Sequence, residues 1–174
     1  MIKEALKIKL QENHKTFLDF ISNLSDDLFI KSKVGKWTAG QQLEHIYLSV
    51  KPVRQALRLP KFLLLVLLGK ANRKSRNYDD LVIKYLGKLS NGGKAPIRFI
   101  PAQVTLERKS KLMELVTNEI VRLNRKIDKF SETELDKFVL PHPLLGKLTI
   151  REMLYFTIYH VEHHQKSITE ICEP

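Results

Sequence analysis

Cross-linking, export and chain-breaking residues are all scarce in this sequence. One cysteine, Cys172, occurs among 174 residues, so no internal disulfide can form and no cysteine cluster can hold zinc or iron–sulfur. A reducing cytoplasm is the compartment expected. The opening stretch, MIKEALKIKLQENHK, interleaves Lys and Glu with apolar residues and lacks the apolar core and small-residue cleavage site of an export signal. The longest apolar run, Phe62 to Leu68, is far short of the roughly 20 residues a membrane-spanning helix needs. Glycine and proline number only seven each and are scattered, which leaves long stretches free for helix. Runs of alternating polar and apolar residues are missing as well, so a sheet is not expected.

Acidic residues are scarce in the middle of the chain. The net charge is +11, and between His45 and Leu106 twelve Lys or Arg face only Asp79 and Asp80. Such a field can draw nucleic acid, an anionic membrane surface or an acidic small molecule, or can serve solubility alone. Nucleic acid is disfavoured, because no recognition motif accompanies the charge. Contact with a membrane surface through residues 51–76 stays open, since LPKFLLLVLLGKANRK sets a short apolar helix between basic flanks.

With 43% hydrophobic and 28% charged residues, residues 1–174 are expected to form one domain around one core. Leu6, Leu10, Phe17, Phe20, Ile21 and Leu24 recur at helical spacing and predict an amphipathic helix over residues 3–24. Thr38 and Gln41 have the form of a capping box, which predicts a second helix from Thr38 to about Leu57, with a kink or early stop at Pro52. Residues 59–100 read as an elaboration. A third helix is predicted from about Pro101 to Phe130, and a short helical turn over Glu132 to Lys137. Thr149 and Glu152 form a second capping box, opening a fourth helix to about Ile171. The expected fold is an all-α four-helix bundle with one long crossover.

Chemistry is concentrated in the histidines. At 100° per residue His160 and His164 lie about 40° apart on the fourth helix, in the sector of Ile150, Met153, Thr157, Ile168 and Ile171. Two imidazoles one turn apart on a buried stripe form a chelating pair, because burying two unpartnered polar rings would be costly. His45 is a weaker third candidate, at the border of the second helix's apolar stripe. Three histidines around one ion would leave positions open for substrate, as catalytic sites do. His163 lies about 100° from this sector, at its margin. His14, among charged neighbours, and His142, between two prolines, read as incidental.

Three stretches together resemble the DinB superfamily across about the whole chain: Trp37-Thr38-Ala39-Gly40-Gln41-Gln42-Leu43-Glu44-His45-Ile46, His142-Pro143-Leu144-Leu145-Gly146-Lys147-Leu148-Thr149, and His160-x-x-x-His164. The resemblance implies a DinB-like four-helix bundle, often a homodimer, with a divalent metal on His45, His160 and His164. Nickel or zinc would be the ion, although imidazole also suits iron and manganese. It further implies a thiol S-transferase that uses a low-molecular-weight thiol such as bacillithiol or mycothiol against an electrophilic substrate. The basic, leucine-rich segment between helices two and three departs from a compact member of the family. Two other readings stay open: metal-dependent hydrolysis with Glu44 or Glu162 as general base, and a non-catalytic metal-binding protein whose basic segment meets a partner or membrane.

Overall fold

Two reciprocal caps start the helices that carry the histidines. Thr38 Oγ1 accepts from the Gln41 amide at 3.1 Å while Gln41 Oε1 accepts from the Thr38 amide at 3.0 Å. Thr149 and Glu152 repeat the arrangement at 3.2 and 2.9 Å. The computed structural model describes residues 1–172. Its elements are α1 (Lys3–Asn23), α2 (Asp26–Ile30), α3 (Ala39–Ala56), α4 (Lys61–Leu68), α5 (Tyr78–Ser90), α6 (Lys109–Ile127), α7 (Glu132–Lys137), β1 (Val139–His142), β2 (Gly146–Thr149) and α8 (Ile150–Cys172). Two 3-10 turns, Ile97–Phe99 and Leu106–Arg108, precede α6.

The fold is all-α but for one hairpin, and its body is four long helices. α3 packs on α6 and α8, and α1 packs on the same two, so each helix has two neighbours around a shared core. Leu6, Leu10, Phe17 and Ile21 of α1 are fully buried, as are Leu43 and Ile46 of α3 and Leu112, Val116 and Leu123 of α6. Gly40 permits a close approach in this core. A Cβ there would lie 2.9 Å from the Phe29 ring and 3.1 Å from Val104 Cβ. No helix among the described residues is long and apolar enough to cross a membrane.

Several elements depart from the sequence-based expectation. Pro52 does not end α3: the helix continues for one more turn to Ala56, without the bond that an amide at position 52 would give the Leu48 carbonyl. α6 begins at Lys109 instead of near Pro101: Val104 is buried against α3 near Gly40, which holds the preceding segment extended. The antiparallel hairpin was not expected at all. β1 and β2 pair Val139 with Thr149 and His142 with Gly146, each strand being too short for alternation to register in the sequence. Gly146, with φ of 75°, takes the left-handed conformation that the turn needs.

Residues 57–108 form the long connection between α3 and α6. Within it α5 packs on α8 and α4 packs on β1, so the insertion covers the end of the bundle where the histidines lie. α4 buries Leu64 and leaves Phe62, Val66 and Leu67 exposed. The strand-like stretch before α5 is tied down by charge. Fully buried Glu152 accepts from Arg73 at 2.6 and 2.8 Å, and from the Arg76 guanidinium and amide at 3.1 and 2.9 Å.

Candidate metal centre

His45 is contributed by the second turn of α3, and His160 and His164 by successive turns of α8, which packs against it. All three are buried, and one ligand-capable nitrogen from each lies within 4.8 Å of the others. His160 Nε2 is 3.3 Å from His45 Nε2 and 3.1 Å from His164 Nε2. Two nitrogens each about 2.1 Å from one tetrahedral zinc would stand roughly 3.4 Å apart. The two spacings at His160 are close to that value, and three nitrogens within 4.8 Å of one another could hold one ion.

The far side of two rings settles which nitrogen is free. His45 Nδ1 donates to the Phe99 carbonyl at 2.7 Å, and His164 Nδ1 donates to Gln42 Oε1 at 2.8 Å. Gln42 is itself oriented by donating through Nε2 to the Trp37 carbonyl at 3.2 Å and to Ser167 Oγ at 3.5 Å. A neutral imidazole protonated on Nδ1 carries its lone pair on Nε2, so the lone pairs of His45 and His164 converge on His160 Nε2. Facing lone pairs repel unless a cation or proton lies between them. Burial, and then the neighbouring imidazoles, hold His160 and His164 well below the usual histidine pKa. Burial also lowers His45, partly offset by the Phe99 carbonyl. Neutral, convergent and pre-oriented rings are what a divalent ion requires. Aromatic rings keep them in place: Phe156 stacks on His160 at 4.6 Å, and Trp37 lies 4.8 Å from His45.

A cavity of about 580 Å³ opens beside the cluster, within the size range of small-molecule sites. α3, α5, α8, the hairpin and the Ala95–Phe99 stretch all line it, and its wall is mainly apolar. Among the described residues no carboxylate lines it. The cations Lys51 and Arg98 are among its lining residues. Neither glutamate considered as a base faces it: Glu44 pairs with Arg108 at 2.6 Å, and Glu162 accepts from Asn13 on α1.

The remaining histidines divide. His14 is buried in the core, its Nδ1 donating to the Leu10 carbonyl at 2.8 Å, and it belongs neither to the cluster nor to the cavity wall. His163 lines the cavity beside the cluster, as its marginal position on the helix suggested. His142 is not incidental. It ends β1, is only 8% exposed, faces Phe156 at 4.2 Å and lines the cavity. Burial and then the Lys84 ammonium lower its pKa to about 4. Its position between two prolines hid this, because a four-residue strand has no readable period.

Neither the curated proteins nor the solved structures contain a match to the chain. The family model of the DinB superfamily does match, over residues 9–168. That span takes in the Trp37–Ile46 stretch, the hairpin and both histidines of α8, and so the chain belongs to the DinB superfamily.

Proposed function

We propose that this chain is a metal-dependent enzyme in which His45, His160 and His164 hold one divalent ion, nickel or zinc, and that it transfers a small thiol to an electrophile. The observation that carries the reading is the convergence of three Nε2 atoms at one end of a cavity of about 580 Å³. Three protein ligands leave a position for a small molecule, unlike a closed structural site. A bound divalent ion would supply the acidity that turns a thiol into a thiolate near neutral pH. The chain's own residues would do the rest. Apolar side chains would hold the body of the reactants, while Lys51 and Arg98 on the cavity wall would attract an anionic one.

Hydrolysis is the weaker reading, because neither glutamate considered as its general base is free to serve the cavity, Glu44 being paired with Arg108 and Glu162 with Asn13. A thiol has less need of one, since its proton leaves to solvent once the sulfur is coordinated.

The test has two stages. Purified protein is expected to contain about one transition-metal ion per chain by elemental analysis, and His160→Ala and His45→Ala to lose it. Full retention in both variants would sink the ligand set. The loaded protein is then incubated with a panel of thiols and a chloro-dinitroaromatic. Metal-dependent thioether formation supports transfer, and its absence across the panel overturns it.

A further inference from the structure

We infer that His142 is a fixed hydrogen-bond donor that seats a carboxylate group of a ligand in the cavity. The inference rests on reading the cavity as a substrate site, but not on thiol transfer. It begins with the tautomer. The amides of Leu144 and Leu145 both donate to His142 Nδ1, each at 3.1 Å. A ring nitrogen that accepts two N–H groups carries no proton, so the hydrogen of the neutral ring sits on Nε2. The hairpin turn thus sets the polarity of the ring: acceptor towards the backbone, donor on the opposite edge.

That donor has no acceptor from the protein among the described residues, and the ring lines the cavity. The Nε2–H is not sealed from solvent, so an acceptor on a ligand in the cavity can reach it and take the place of water. The polar company favours an anion. Tyr85 lines the same cavity, as do the cations Lys51 and Arg98, and among the described residues no Asp or Glu does. Donors and cations without a balancing carboxylate suit a ligand that supplies one. Phe99, Phe156 and Met153 supply the apolar surface for the rest of its body. The ligand class is therefore a small carboxylate with an apolar body, its carboxylate meeting His142 Nε2–H.

Two isosteres separate this role from a purely structural one. His142→Asn keeps an acceptor where Nδ1 stood, so the turn stays capped, but it removes the donor into the cavity. His142→Gln keeps a donor near Nε2 and loses the cap. Trp37 is the sole tryptophan and lines the cavity, so its fluorescence reports occupancy. The purified protein is titrated with 3-phenylpropionate and, as the uncharged control, with 3-phenylpropanol, with metal content and melting temperature recorded for every variant. His142→Asn is expected to weaken 3-phenylpropionate about tenfold, the loss of one charge-assisted hydrogen bond, and to leave the alcohol unchanged. His142→Gln is expected to melt lower yet to keep most of the carboxylate preference. Unchanged carboxylate binding in His142→Asn, equal losses for both ligands, or no saturable quenching by 3-phenylpropionate would each overturn the inference. Failure of thiol transfer alongside donor-dependent carboxylate binding would sink the proposed reaction and leave His142 in its role.

Discussion

Gln42 does for His164 what the Phe99 carbonyl does for His45, holding Nδ1 as a donor so that Nε2 points at the shared position. Only the side-chain anchor can be removed by substitution without moving the backbone. Gln42→Leu, close in volume, is expected to weaken metal binding by roughly 10- to 100-fold, as loss of an outer-shell partner does elsewhere. Gln42→Glu keeps an acceptor and should retain affinity. Competition against a chromophoric chelator reads both, and Gln42→Leu binding within twofold of the parent would show that His164 needs no such guide. At this scale the pair on α8 was legible, because a four-residue interval on a buried stripe can be read from helical geometry alone. His45 depended on the family resemblance: its border position on the helix does not reveal that α8 closes over it. Gln42 and His142 were illegible because their partners, Trp37, Ser167, Leu144 and Leu145, define their roles only once the chain has folded.

Among the elements, α3 and α6 share a buried ion pair. Arg54 is one of the twelve basic residues of the middle third, but its guanidinium is buried and meets buried Glu119 at 2.7 and 3.2 Å. Removing one partner leaves an uncompensated buried charge. Glu119→Leu is expected to cost about 3–5 kcal/mol in urea denaturation, while Arg54→Met combined with Glu119→Leu should cost less than either single change. Additive losses in the double variant would show that each side chain acts by packing alone. The periodicity that revealed α1, α3, α6 and α8 comes from burying one face of a helix against a common core, which is why those four were readable. α5 was missed, although Asn77 caps it and Leu81 and Tyr85 sit one turn apart on its buried side, because it is short, only thirteen residues, and lies inside a long connection of loops and turns. The hairpin was missed for its brevity.

Over the whole molecule, the concentration of positive charge in the middle third is partly cancelled by acids from elsewhere in the chain. Arg54, Lys61, Arg73 and Arg76 find Glu119, Glu134 and Glu152, all outside that third. The field that remains belongs to residues such as Lys51 and Arg98, which line the cavity, where charge bears on ligand capture. The candidate metal centre joins α3 to α8, and through Phe99 it reaches the end of the long connection, so an ion there would cross-link the bundle. An ion that binds the folded chain and not the unfolded one stabilises it by about 4 kcal/mol at a thousand times its dissociation constant. For a chain of this length each kcal/mol moves the melting temperature by about 2–4 °C. Chelation is therefore expected to lower the melting temperature of the loaded protein by about 10 °C, with recovery on adding zinc or nickel back. His160→Ala should melt at one temperature with or without chelator. A chelator shift of equal size in that variant would place the stabilising ion somewhere other than between these three histidines, and the assignment of the site would fall with it.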